Sequence, residues 1–211
     1  RINALLVQNI VHTDGVIDLF KVEDETVSIF DPKFLTSLSR MKEKNLAYEL
    51  LKKLIDDQIK GYRKKSVTQA KKYSDLMQSM VNSYLNGQLT NAEVFEEMLK
   101  MAKEMLSENQ KAKELGLTDE EFAFYEALTQ PQAIADYYRE KNDELVAITQ
   151  ELAAKMREMR TVDWQKKQSA RAAMRVAIKR LLKHHKYPPE GMESALCTVM
   201  EQCELWADNV A

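Results

Sequence analysis

The chain has 211 residues, with 31 Lys and Arg against 33 Asp and Glu, a net charge of −2, and 45% hydrophobic and 30% charged content. That length can bury a core as one large helical domain or two small ones, in an ordinary soluble globular composition. No run approaches the roughly 18 apolar residues of a membrane span, which excludes a transmembrane helix, and five Gly with four Pro argue for long helices and few tight turns.

The N-terminal Arg1-Ile2-Asn3-Ala4-Leu5-Leu6 has one cation and no small-residue cleavage site, so no secretory signal is expected. A chain that starts at Arg rather than Met suggests a piece of something longer. Cys197 and Cys203 are the only cysteines. Six residues apart on a helix, their Cα atoms would sit about 9 Å apart, beyond the roughly 7 Å a disulfide spans. They read as reduced thiols, which points to the cytoplasm.

In chain order, residues 1–30 are the least regular. Ile2–Val11 fits a short helix, and Val16–Phe20 and Thr26–Phe30 are short apolar runs that suit strands or extended connectors. Asp31-Pro32 reads as a cap followed by Pro at the first helical position, opening a helix to about Arg40. Asn45–Arg63 carries Leu46, Leu50, Leu51, Leu54, Ile55 and Ile59 at helical spacing. Ser66–Asn86 predicts a helix with Leu76, Met80, Val81 and Tyr84 inward, stopped by Gly87. Thr90-Asn91 start the next, which runs to about Leu115 with Phe95, Met98, Leu99, Ala102, Met105 and Leu106 as its core stripe. Thr118 and Glu121 form a capping box for a short helix over Asp119–Leu128, with Phe122, Phe124 and Tyr125. Gln130-Pro131 opens a long helix to about Met159, and a last helix fills Pro189–Val210. The expectation is an all-α, irregular array of about seven to eight helices: residues 1–30 as a connector segment, 31–211 as one helical domain.

The stretch Val162–Pro189 is read as one amphipathic helix capped by Thr161 or Asp163 and ended by Tyr187-Pro188-Pro189. Lys167, Arg171, Arg175, Lys179 and Lys183 recur every four residues along one face, with Ala170, Met174, Ala177, Ile178, Leu181 and Leu182 as the core stripe. Lys155 to Lys186 holds eleven Lys and Arg against Glu158 and Asp163, a local balance of +9 that leaves −11 elsewhere. Cations at i, i+4 repel by about 0.2–0.5 kcal/mol per pair. Such runs are usually solvated faces, and this one has three outlets: solvent or an acidic helix of the same chain (Glu93 to Glu126 hold ten acids and four lysines), a DNA backbone, or an acidic protein partner.

Reactive chemistry is harder to find. Gly15, Gly61, Gly87, Gly116 and Gly191 lie too far apart for a phosphate loop. His12, His184 and His185 with two cysteines give no metal spacing, and Asp18, Glu23, Asp24 and Glu25 read as a solvated acidic loop. No nucleophile has an evident partner base.

Three segments together resemble the C-terminal helical region of the R (motor and endonuclease) subunit of type I restriction enzymes. They are Val16-Ile17-Asp18-Leu19-Phe20 leading into Asn45-Leu46-Ala47-Tyr48-Glu49-Leu50-Leu51; Leu115-Gly116-Leu117-Thr118 with Glu121-Phe122-Ala123-Phe124-Tyr125-Glu126-Ala127-Leu128; and Val162-Asp163-Trp164 with Arg171, Arg175, Lys179, Arg180-Leu181-Leu182 and Tyr187-Pro188-Pro189. The resemblance implies a region without catalytic, cofactor or metal residues of its own, ATP and Mg²⁺ belonging to other domains of the parent subunit. It implies docking of the DNA-translocating nuclease subunit onto the methyltransferase and specificity subunits, next to its own motor domains and in reach of DNA. Phe122, Phe124, Tyr125, Trp164 and Tyr187 are its core anchors, and Lys167, Arg171, Arg175, Lys179 and Lys183 the candidates for an anionic partner. A stand-alone helical nucleic-acid-binding or adaptor domain is the alternative.

Overall fold

The computed structural model describes residues 32–42, 44–130, 132–160 and 164–209. The readings for residues 1–30, the caps Asp31, Thr161 and Asp163, and Pro131 lie outside them. Among the described residues the fold is all-α, with the order α1 (Pro32–Arg40), α2 (Lys44–Lys65), α3 (Val67–Leu85), α4 (Asn91–Glu114), α5 (Asp119–Thr129), α6 (Gln132–Tyr137), α7 (Asn142–Met159), a 3-10 turn (Trp164–Lys166), α8 (Gln168–His184) and α9 (Pro189–Asn209).

Helix starts follow the side chains that can serve free N–H groups. Thr118 Oγ1 accepts from Glu121 N at 3.3 Å while Thr118 N donates to Glu121 Oε2 at 2.9 Å. Thr90 and Glu93 make the same reciprocal pair at 3.3 and 2.7 Å, a second capping box. Helix ends follow the left-handed backbone. Gly87 and Gly116 take φ of 69° and 64°, and Leu117 N donates back to Ala112 O at 3.1 Å. α8 ends the same way at Lys186, φ 53°, with Tyr187 N donating to Leu182 O at 2.9 Å. A lysine there carries a Cβ penalty that glycine lacks. Lys186→Gly is therefore expected to raise stability by about 0.5–1 kcal/mol in urea unfolding, and an unchanged midpoint would count against that strain.

Three expectations need correction. The long helix after Pro131 is two, α6 and α7, separated by a turn in which Lys141 N donates to Tyr138 O at 3.1 Å. Arg139, Glu140 and Lys141 in the break are good helix formers, so packing rather than local propensity makes it: the break lets Tyr138 bury to 3% exposure and stack on Tyr187 at 6.0 Å. Tyr125 Oη donates across the break to Asn142 Oδ1 at 2.7 Å. In α3 only Met80 of the four residues expected inward is buried; Leu76, Val81 and Tyr84 are 42%, 39% and 44% exposed. The inward face is set by Thr68, Gln69, Tyr73 and Met80. At about 100° per residue, Leu76 and Val81 flank the Tyr73 direction by about 60–80°, and Tyr84 lines an open cleft. The basic helix also starts late, at Gln168, after the 3-10 turn, with Lys167 in the cap position and no side-chain cap bond.

Two groups of buried hydrophobics result. One gathers α1–α4 around Leu38, Leu51, Ile55, Tyr73, Met98 and Met105; the other gathers α5–α9 around Phe124, Leu128, Leu145, Trp164, Ile178 and Leu182. They meet at a polar seam where one extended residue, Ser66 (φ −141°, ψ 115°), separates α2 from α3. Gln202 of α9, 1% exposed, accepts from Val67 N and donates to Lys65 O, both at 2.8 Å. Trp206 Nε1 donates to Lys65 O at 3.0 Å and its ring meets Phe124 edge-on at 5.0 Å. From α5, Glu126 accepts from Ser66 Oγ at 3.2 Å and from Gln69 Nε2 at 3.0 Å. Burial, reinforced by the nearby Glu108 carboxylate, pushes Glu126 up to about 8 against the opposing effect of Gln69, Ser66 and Lys72.

Candidate functional site

α8 is fixed to the C-terminal core by Met174, Ile178, Leu181 and Leu182, with Ala170 and Ala177 packed beside them. The aromatic anchors lie in the same core: Phe122, Phe124, Tyr125, Trp164 and Tyr187 are all at or below 6% exposure. Tyr187 Oη donates to Leu128 O at 2.6 Å, tying the end of α8 to the end of α5. Trp164, 2% exposed with an unpartnered Nε1, sits too deep to stack on a base without opening the core. At Gly191 of α9 a Cβ would meet Ile134 Cγ1 at 2.6 Å, so α9 begins in direct contact with α6.

The five cations do not share one environment. A spacing of four residues gains about 40° per step in a helix of 3.6 residues per turn, so the row spirals about 120° from Arg171 to Lys183. Its N-terminal part faces α9, where Arg171 pairs with Glu204 at 2.6 Å and Arg175 with Glu193 at 3.6 Å. Lys179 and Lys183 turn outward, exposed and without an ion pair among the described residues, as is Lys167 at the cap. The intramolecular acids expected from Asn91–Gly116 and its successor are replaced by those of α9. The acids of α5 engage other cations: Glu120 pairs with Arg157 of α7, at 2.7 Å, and Arg160, and Asp119 with Lys65 at 3.0 Å.

On the other side of the cation row, α7 and α8 enclose a shallow groove of about 500 Å³. Met159, Ala172, Ala173, Val176 and Ala177 form its apolar lining, and Lys155 and Arg180 its charged one. Val176 is 48% exposed. Ala172, Ala173 and Val176, exposed beside the inward stripe and joined at its border by the half-buried Ala177, were the sequence signal for this second face. A larger cleft of about 820 Å³ lies among α1, α2, α3 and α4, lined by Tyr48, Tyr84, Phe95, Leu99, Lys100 and Lys103 among others.

Reactive groups do not converge. No cluster of three His, Cys, Asp or Glu side chains suited to a metal is present among the described residues. His185 Nε2 contacts Glu151 Oε2 at 2.6 Å and His184 only edge-on. Cys203 is fully buried and its thiol is pushed up to about 12 by that burial, so it is protonated at neutral pH; Cys197 is exposed and also free. No described helix is long and apolar enough to cross a membrane.

Residues 2–209 match a family model described as "Type I restriction enzyme HindI endonuclease subunit-like, C-terminal". The chain is 32% identical over 209 residues to the type I restriction enzyme HindI endonuclease subunit of Haemophilus influenzae, covering 97% of this chain and 20% of that protein. It is 29% identical over 168 residues to a putative type I restriction enzyme MjaIXP endonuclease subunit of Methanocaldococcus jannaschii, covering 79% of this chain and 16% of that protein. The chain thus spans about a fifth or less of the curated relatives it matches. No solved structure matches.

Proposed function

For a chain that belongs to the family of HindI-like C-terminal regions of type I restriction endonuclease subunits, we propose that it is a non-catalytic assembly module. Its job is to dock the ATP-dependent, DNA-translocating nuclease subunit onto the methyltransferase and specificity subunits in the cytoplasm. Residues 31–211 are the docking domain and residues 1–30 the connector from the motor domains; ATP and Mg²⁺ act in those other domains. One observation carries the reading. The exposed side of α8 and α7 joins an apolar groove to cations, while the reactive side chains of the described residues are scattered or buried. A subunit truncated before residue 31 is expected to stop co-eluting with the methyltransferase and specificity subunits while still binding ATP. Co-elution of the truncated subunit would remove the proposal.

A second reading, backbone contacts to DNA, is favoured by Lys167, Lys179 and Lys183, which have no ion pair among the described residues. With Arg171 and Arg175 held by α9 acids, three phosphate contacts give a log–log salt slope of about −3 rather than the −4 to −5 of five. Duplex binding by this chain with that slope, abolished by Lys179→Glu with Lys183→Glu, is the expected result. A flat salt dependence removes this second reading.

A further inference from the structure

We propose that the groove between α7 and α8 seats an amphipathic helix from the partner subunits, with an apolar ridge and acidic flanks. This inference rests on the docking reading and names its surface. The groove is shallow, and the small side chains of its lining suit a helix laid along it. Ala172, Ala173, Val176 and Ala177 recur at i, i+1, i+4 and i+5 along one side of α8, and Met159 of α7 closes the other wall. Small side chains at that spacing let the ridge of a second helix come close, as in helix-in-groove recognition. Val176, a 48% exposed β-branched side chain on the solvent side of α8, is the apolar contact such a ridge would cover.

Charge selects the occupant. Lys155 and Arg180 line the groove from opposite helices, and Lys179 and Lys183 continue the positive field along α8. Lys155 has a local partner, Glu158, at 3.1 Å. Arg180, Lys179 and Lys183 have no ion pair among the described residues, so they face whatever enters. Acids spaced three and four residues apart on the incoming helix would meet them in register. DNA fits this surface less well. A sugar–phosphate chain gains nothing from an alanine and valine floor, and of the three arginines of α8 two, Arg171 and Arg175, are turned to Glu204 and Glu193.

The test uses the full-length subunit and the assembled methyltransferase and specificity subunits, with affinity read by biolayer interferometry. Val176→Glu and Arg180→Glu are compared with Arg180→Lys and with Leu85→Glu, a change at the 74% exposed end of α3. Both groove changes are at exposed positions, and melting temperatures within a few degrees of the parent establish that each variant is folded. The expected result is a loss of at least about tenfold for Val176→Glu and Arg180→Glu, with near-parental binding by Arg180→Lys and Leu85→Glu. Parental binding by the groove variants overturns the groove and leaves the docking reading standing. Equal losses in the groove variants and Leu85→Glu overturn it as well. Failure of the parent subunit to bind removes the docking reading itself, and the groove with it. Loss of duplex DNA binding with intact subunit binding reassigns the face to DNA and overturns the protein occupant.

Discussion

Replacing Gln202 with alanine is expected to lower the unfolding free energy by about 2–3 kcal/mol in urea titration, more than an exposed polar residue could. The Gln202 side chain is 1% exposed and serves both sides of the single-residue break at Ser66. Its Oε1 accepts from Val67 N, a donor at the first turn of α3 that has no helical acceptor of its own. Its Nε2 donates to Lys65 O at the last residue of α2. Truncation strands the Val67 N–H in a protein interior, which costs about 1–3 kcal/mol, and leaves a small void in addition. Lys65 O is better protected, since Trp206 Nε1 also donates to it at 3.0 Å. Trp206→Phe should accordingly cost little beyond one hydrogen bond, about 1 kcal/mol. The double variant should cost more than the sum, because the two single changes share an acceptor that keeps one donor in each. A Gln202→Ala loss under about 1 kcal/mol, or strict additivity with Trp206→Phe, would contradict the seam as the joint between the two clusters.

Much of the helical architecture was legible because local chemistry and long-range packing agree there. Thr118 and Glu121 cap α5 as their spacing predicts, Gly87 and Gly116 take the left-handed turns, and the Met-rich face of α4 is buried as its period demands. Legibility fails where a distant partner decides. Nothing local separates α6 from α7; the break is stabilised by Tyr138 stacking on Tyr187, many residues away. In α3 the apolar pattern pointed to Leu76 and Val81, yet the inward face holds Gln69, which donates to Glu126 of α5, beside a first turn whose Val67 N–H is taken by Gln202 of α9. The cation row shows the same limit. Its four-residue period was visible, but that its first half faces α9 while its second half faces outward depends on the placement of Glu193 and Glu204. The groove was hidden for a different reason: alanine and valine outside the main stripe of a helix carry no charge and little hydrophobic contrast.

Stability of the chain is expected to fall as pH rises from about 5 to 8, and Glu126 is the residue that should carry this. Its carboxyl stands at about 8 in the fold against 4.5 for an unperturbed glutamate, because burial between α5 and the α2–α3 corner disfavours the charged form and Glu108 on α4 adds like charge. The hydrogen bonds from Gln69 and Ser66 and the ammonium of Lys72 pull the other way and do not prevail. Between the two values the native state keeps a proton that the unfolded chain releases, so the native state binds more protons and loses stability with increasing pH. The contribution is full below about 4.5 and is lost as pH climbs to about 8, some 3 kcal/mol of it between pH 5 and 8 at 1.36 kcal/mol per unit. Glutamine reproduces the shape of the protonated side chain without the ionisation. Glu126→Gln should therefore flatten the pH dependence, match the parent near pH 5 and exceed it by about 2–3 kcal/mol at pH 8. Glu108→Gln gives a second reading: with the neighbouring carboxylate gone the folded value of Glu126 falls, so the loss of stability still starts near 4.5 but ends at lower pH and is smaller. Lys72, which lies between Glu104 and Glu108 at 2.6 Å from each, stays charged through this range, held above its ordinary value by those two carboxylates despite its partial burial. Urea midpoints at half-unit steps from pH 5 to 8 for the parent and both variants decide the matter. Parallel curves for the parent and Glu126→Gln would mean that Glu126 is ionised in the folded chain and that the seam holds a charge rather than a proton.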